Sequence, residues 1–274
     1  MENKKILEKE LKEIAKKIRR DIIEMIYMAS SGHPGGALSI TDILTTLYFV
    51  EMNVNPQYPK DDNRDRLVLS KGHSSAALYA TLAERGFIKE EDLDGFRSLG
   101  SMLQGHPDMN KVPGVDMTSG SLGQGLSVAN GMALASKMDN RPSRVYCILG
   151  DGELGEGQVW EAAMSSSHYK LDNLCVVVDN NNLQIDGLIT EVMNSTPIDK
   201  KFKEFGFEVL KADGHDFDKL ISAFEEAKRI KGRPTCIICK TIKGKGVSYM
   251  ENEAKWHGKA PNDEEYQKAI GELR

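Results

Sequence analysis

Five short apolar runs recur along this chain, spaced widely enough for a helix to fit between neighbours: RLVLS at 66–70, RVYCIL at 144–149, LCVVV at 174–178, a run at 207–210, and TCIIC at 235–239. Runs of this length without a polar face read as strands buried on both sides. The segments between them carry helical periodicity. Strands that alternate with helices build a mostly parallel sheet covered on both faces, so the expected fold is α/β with three layers, α/β/α.

The N-terminal segment fits the same picture. Leu7, Leu11, Ala15, Ile18, Ile22, Met25 or Ile26, and Ala29 follow the three-to-four spacing of an amphipathic helix, which predicts a helix over about 4–30 packed on one face. A second helix is expected from about Ser39 to Val50, followed by a Pro- and Asp-rich loop from Asn53 to Asp65. No internal repeat, low-complexity tract or Pro/Gly/Ser linker divides the chain. A length of 274 residues then suits one domain over 1–274, with a loop-rich tail over about 243–274.

Composition removes several function classes. With 40% hydrophobic and 28% charged residues and no apolar run long enough for a bilayer, the chain does not read as a membrane protein. Its first twenty residues mix both signs of charge and lack a secretory signal, so a cytoplasmic location is expected. A net charge of −5 argues against a nucleic-acid surface. The four cysteines lie in apolar runs, and the Cys236/Cys239 pair has no second pair nearby to complete a zinc site, so they read as buried hydrophobes.

In an open parallel sheet the ligand sits beyond the carboxyl ends of the strands. Those ends are chemically dense here: Ser70-Lys71-Gly72-His73, Gly150-Asp151-Gly152, Asp179-Asn180-Asn181-Asn182, and Lys240-Thr241-Ile242-Lys243-Gly244. Asp151 stands between glycines that let the backbone turn sharply near a ligand, and Gly155 and Gly157 open a helix whose amides can face an anion. Alone, such an aspartate is more often a helix cap, and an asparagine run a turn. The pairing favours chemistry. Asn181 follows Asp151 by 30 positions, enough for one helix and one return strand, which brings both to the same sheet edge. A hard cation such as Mg²⁺ takes one or two such oxygen ligands and shares the rest with phosphates and water.

Two glycine clusters carry no nucleotide signature. Gly120-Ser-Leu-Gly123-Gln-Gly125 has the order GxxGxG, the wrong one for a dinucleotide fingerprint, and Gly244-Lys245-Gly246 lacks the remainder of a Walker loop. Histidines that adjoin glycine in loops include His33, His73, His106 and His257. Singly, each is more often a surface residue; together they favour a polar pocket that handles hydroxyls or protons.

Taken in order, SGHPGGALS, NRDRLVLSKGH, GHPD, TSGSLGQG, GDGELGEG, DNNNLQIDG, KTIKGKG and WHGKAP span nearly the whole chain, and in this combination the sequence resembles the N-terminal, diphosphate-binding domain of the transketolase family. The resemblance implies a thiamine diphosphate-binding fold, with Asp151, Asn181 and the backbone carbonyl of Leu183 on Mg²⁺ or Ca²⁺. It places His73, Gly120, Ser121, Leu122, Gly152, Asn181, Lys243 and His257 against thiamine diphosphate, and Ile185 against the bent cofactor. His33, His73, His106 and His257 would bind donor hydroxyls and assist proton transfer. Glu156 and Glu161 match acidic residues on a path that links two cofactor sites across a dimer interface.

The resemblance also implies what is missing. The family's pyrimidine-binding domain, with the glutamate that activates the cofactor, and its C-terminal domain have no counterpart here. The expectation is an N-terminal subunit that transfers a two-carbon ketol unit between sugar phosphates of the pentose phosphate pathway. It would act only with a separate C-terminal subunit, in a heterotetramer with two copies of this chain. The alternatives are a subunit of a synthase that condenses pyruvate with a sugar phosphate, a 2-oxoacid dehydrogenase subunit, or a non-catalytic cofactor-binding protein. The histidine set and the KTIKGKG to WHG tail favour transketolase, because ketose hydroxyls need several polar partners.

Overall fold

A computed structural model of the protein describes residues 2–274; Met1, included in the expected domain span, lies outside the described residues. In chain order the elements are α1 (Glu2–Met28), α2 (Pro34–Ser39), α3 (Thr41–Thr46) with a π-turn over Leu47–Glu51, β1 (Arg66–Leu69), α4 (Ser75–Arg85), α5 (Gln124–Met138), β2 (Val145–Gly150), α6 (Gly157–His168) and β3 (Leu174–Asn180). A small hairpin follows, β4 (Leu183–Gln184) and β5 (Gly187–Leu188), then α7 (Ile189–Val192), α8 (Ile198–Glu204), β6 (Glu208–Asp213), α9 (Phe217–Arg229), β7 (Thr235–Lys240) and α10 (Asp263–Glu272).

The five apolar runs form one sheet in the order β1-β2-β3-β7-β6, with every neighbouring pair parallel. Strand addition proceeds outward from β1 to β3, skips a place to β6, and returns with β7 in the gap. Period-two alternation distributes each strand between two cores. Leu67, Leu69, Tyr146, Ile148, Cys175, Val177, Ile237 and Cys239 point into one, packed under α1–α4, α9 and α10. Val68, Val145, Cys147, Leu149, Leu174, Val176, Val178, Cys236 and Ile238 point into the other, beneath α5, α6 and α8. All four cysteines are free and fully buried within these layers.

Some elements depart from expectation. Instead of one helix from Ser39, the chain turns helical at Pro34, where a fixed φ suits the first helical position, and breaks at Ile40 (φ −97°, ψ 2°) before resuming. The run expected over 207–210 becomes a strand that extends to Asp213. The C-terminal tail is not all loop: Asn262 and Glu265 form a reciprocal capping box that starts α10. No helix among the described residues is long and apolar enough to cross a membrane.

The register fixes the site. Gly150 pairs with Asp179, and Asn180 with Lys240, so the carboxyl ends of β2, β3 and β7 finish at one level. At the start of β1 a buried ion pair anchors the sheet. Arg64 donates to both carboxylate oxygens of Asp116 (3.1 and 2.5 Å), and Asp116 also accepts the Leu67 amide (2.9 Å). Removing the carboxylate leaves Arg64, 5% exposed, without its counter-ion. Asp116→Ala is therefore expected to lower the unfolding free energy by about 3–5 kcal/mol. Urea titration of the full chain would show a reduced midpoint at unchanged slope, and a loss of only about 0–1 kcal/mol would class the pair with exposed ones.

Candidate active site

At the level where β2, β3 and β7 end, the most buried acid is Asp179, which is fully inaccessible. Its carboxylate accepts from Ser39 Oγ (2.6 Å), Lys71 Nζ (2.5 Å), Asn181 Nδ2 (3.1 Å) and Thr241 Oγ1 (2.5 Å). Four segments meet there: the end of α2, the loop after β1, and the loops after β3 and β7. Burial alone would raise the pKa of Asp179, but the Lys71 ammonium and the three other donors hold it below the ordinary carboxylate range.

Asp151, the corresponding acid at the end of β2, is treated differently. It is 2% exposed and, among the described residues, accepts only backbone amides, from Gly152 (2.8 Å) and Asn182 (2.5 Å). No lysine, arginine or histidine pairs with it among the described residues, since the nearby Lys71 is engaged by Asp179. Burial, followed by the Asp179 charge, pushes its pKa up to about 7. A buried carboxyl in this state lacks a cation. Among the described residues Asn181 Oδ1 accepts only the Leu183 amide (3.0 Å), and the Leu183 carbonyl faces Lys243 Nζ at 3.4 Å. Asp151, Asn181 and Leu183 thus offer three oxygens on adjoining segments, the donor type that a hard divalent ion takes.

Lys243 is 2% exposed and, among the described residues, pairs with no carboxylate. Burial and then the Lys71 charge lower its pKa to about 8. An anion placed between Lys243 and a cation on Asp151 would satisfy both. A diphosphate carried with its metal fits that arrangement.

Three histidines stand beside this lysine. The rings of His33, His73 and His257 form a triangle with centroid separations of 5.1, 5.2 and 5.5 Å, and His257 Nδ1 lies 3.0 Å from Lys243 Nζ. Burial is the main cause that lowers their pKa values, to about 4 for His33, about 3 for His257 and about 2 for His73, with neighbouring cations adding to the effect. All three are neutral near pH 7 and can each donate and accept a hydrogen bond. His106 is exposed, yet its Cδ2 lies 3.7 Å from where a side chain on Gly120 would start, so it borders the same cleft from the GSLGQG loop. Its pKa is also lowered, by burial and then by Arg97.

The GSLGQG loop is held by a residue that no sequence pattern marks for this task. Glu153, 3% exposed, accepts from Ser70 Oγ, from the Gly123 amide (2.7 Å) and from the Gly150 amide (2.9 Å), which ties that loop to the ends of β1 and β2. Gly123 itself needs a left-handed backbone (φ +83°), and a side chain there would meet Glu156 and Gln158 at 2.8 Å.

Gly120 therefore lies beside His106, Ser121 and Leu122 follow it in the same loop, where the Leu122 carbonyl accepts from Gln158 Nε2 (3.0 Å), and Gly152 closes the Asp151 turn. The remaining expected residues stand apart. Ile185 sits in the β4–β5 turn and is 62% exposed, while Glu156 and Glu161 are exposed at the start and on the outer face of α6. None of the described residues covers them. Sequence reasoning alone assigns no role to Asp179, Lys71, Glu153 or His215. Only the strand-end positions of Asp179 and Lys71 and the place of Glu153 in GDGELGEG hint at the first three.

Residues 10–273 match the family model described as transketolase, thiamine diphosphate binding domain. The chain is 45% identical to an apulose-4-phosphate transketolase subunit of Phocaeicola vulgatus, covering 94% of this chain and 92% of that protein. It is 46% identical to a 6-deoxy-6-sulfo-D-fructose transketolase subunit of Clostridium sp., covering 96% of each. Against human transketolase the identity is 42%, but the matched region is 91% of this chain and only 40% of the human protein. The crystal structure of Campylobacter jejuni transketolase superposes with a TM-score of 0.90 at 37% identity, over 96% of this chain and 42% of that one, so this chain spans about two-fifths of a single-chain relative. With that sequence match, the shared fold and the strand-end site, the chain belongs to the transketolase family and corresponds to its thiamine diphosphate-binding domain.

Proposed function

We propose that this chain is the diphosphate- and metal-binding half of a two-polypeptide transketolase. Asp151, buried and without a counter-ion at the end of β2 and adjoining Asn181, Leu183 and Lys243, is the observation that carries the reading. Asp151, Asn181 Oδ1 and the Leu183 carbonyl would hold Mg²⁺ or Ca²⁺, which bridges to the diphosphate. Lys243, His73, His257, Gly152 and the Gly120–Leu122 segment would surround the phosphates, and Ile185 would support the apolar part of the cofactor. When bound, thiamine diphosphate supplies the carbon nucleophile and electron sink for breaking and making the carbon–carbon bond. His33 and His106 would hold donor hydroxyls, and His73 and His257, neutral and within reach of both ligands, would accept or return protons at those oxygens.

The other half of the pocket comes from a companion chain in this reading. Relatives named as transketolase subunits have nearly this length, matched over 92% and 96% of their sequences. Exposed Ile185, Glu156 and Glu161 suit contact with other chains, in a heterotetramer with two copies of this one, in the cytoplasm. The donor would be an anionic ketose, since the substrates in those relatives' names carry a phosphate or a sulfonate. The anion itself would be gripped by the companion.

Four outcomes are expected. Ketol transfer, assayed on a panel of ketose phosphates, should require both chains, and robust transfer by the rigorously purified single chain would defeat the two-chain reading. In the assembled enzyme Asp151→Asn should abolish most metal-dependent cofactor affinity in calorimetry. The free Asp151 carboxyl takes up a proton as pH falls through about 7, as its raised value dictates, whereas the metal needs the carboxylate. Wild-type affinity should therefore fall below about pH 7 and level off above it, and a flat profile would remove Asp151 from the metal. His106→Ala should keep normal cofactor affinity while turnover drops roughly ten- to a thousandfold. Full turnover in that variant would return His106 to the surface.

A further inference from the structure

His215 takes no part in the histidine cluster. It lies in the loop between β6 and α9, its amide donating to Asp213 Oδ1 (3.0 Å), and its ring is the centre of a buried chain of hydrogen bonds. Arg19 of α1 donates through both terminal nitrogens to Asp42 of α3, at 3.0 and 2.6 Å. Asp42 Oδ2 is 2.7 Å from His215 Nδ1, and His215 Nε2 is 2.9 Å from the backbone nitrogen of Ile242. A backbone amide can only donate. Nε2 must therefore be the accepting nitrogen, and Nδ1 carries the proton and gives it to Asp42, which fixes a single neutral tautomer.

The chain of bonds ends on the loop after β7. Arg19 Nε also donates to the Lys245 carbonyl at 3.1 Å, so the network grips the loop on both sides of Lys243, at Ile242 and at Lys245. The loop has little room to relax. Gly244 and Gly246 adopt φ of +78° and +95°, and a side chain at Gly246 would meet Arg19 Cδ at 2.9 Å. Lys243 is itself tied through its carbonyl to the Asn252 amide (2.9 Å). Loss of the Ile242 bond would free the Thr241–Ile242 peptide, one residue ahead of Lys243, and the long side chain would amplify any rotation there.

We propose that His215 is a positioning residue: Arg19 and Asp42 hold its ring, and its ring holds the 242–245 loop so that Lys243 meets the cofactor's diphosphate. The inference rests on the role of Lys243 given above. It assigns His215 no contact with cofactor or substrate.

Two amide substitutions separate the ring's two functions. In His215→Gln the side-chain oxygen reaches the place of Nε2 and can still accept from Ile242. In His215→Asn the amide reaches only the place of Nδ1, so the Asp42 contact survives and the Ile242 acceptor is lost. Calorimetry of thiamine diphosphate and Mg²⁺ with the assembled two-chain enzyme is the primary readout, with hydrogen exchange of the 241–246 segment and kcat at saturating cofactor alongside. His215→Asn should weaken cofactor binding roughly tenfold, speed exchange at Ile242 and leave saturated kcat close to wild type. His215→Gln should restore most of the affinity and protection. Wild-type affinity in His215→Asn while Lys243→Ala binds weakly would overturn the proposal and spare the site. Equal loss in the Asn and Gln variants would overturn it as well, because regaining the Ile242 acceptor would then recover nothing. Unchanged affinity in Lys243→Ala would instead remove the reading of the site itself, and this proposal with it.

Discussion

The ion pair between Lys71 and Asp179 is the contact on which the site depends. Both groups are nearly inaccessible, at 4% and 0% side-chain exposure, and a buried pair of this kind is tolerable only when its remaining hydrogen-bonding capacity is filled. Ser39, Asn181 and Thr241 fill it. The strand register brings the ends of β2, β3 and β7 to one level, and this carboxylate joins the loops beyond β1, β3 and β7 to α2. Loop residues whose side chains must act together are thereby referred to one fixed point.

The same pair sets the electrostatics of its surroundings. Burial, and then the Asp179 charge, raises the pKa of Asp151 to about 7, while Asp179 holds Lys71 as its own partner. Lys243, pressed by burial and by Lys71, is lowered to about 8, and the histidines beside it are kept neutral. An acid that lacks a cation and a lysine that lacks an anion face one another across Leu183 and Asn181. Metal and diphosphate bound together would neutralise each where it stands, and separate binding would leave one of them uncompensated. Neutral imidazoles alongside are suited to sugar hydroxyls, which need partners that both donate and accept.

Much of this is legible in the sequence because it is local. The apolar runs, the residues that follow them and the glycines beside four histidines are adjacent in the chain, and a parallel sheet necessarily gathers strand ends on one edge. Three of the four partners of Asp179 are not legible, since they lie 140, 108 and 62 positions away. The insertion of β7 between β3 and β6 also escapes any local pattern. His215 is the clearest case: nothing in Gly214-His215-Asp216 distinguishes it from the cleft histidines, and only its place between Asp42 and Ile242 separates the roles. The helix expected from Ser39 begins at Pro34 instead, where proline's fixed φ favours the first helical position, a signal that periodicity alone does not carry.

The central claim is that Asp151, Asn181 and Leu183 hold the metal that anchors a diphosphate on this chain. An anomalous diffraction map of the assembled two-chain enzyme, loaded with thiamine diphosphate and Mn²⁺ in place of Mg²⁺, tests it most directly. The account predicts a metal peak about 2.0–2.4 Å from an Asp151 carboxylate oxygen, Asn181 Oδ1 and the Leu183 carbonyl, with the phosphates against Gly152 and Lys243. A peak seated elsewhere, with phosphates clear of Lys243 and Asp151 still bound only to backbone amides, would contradict it.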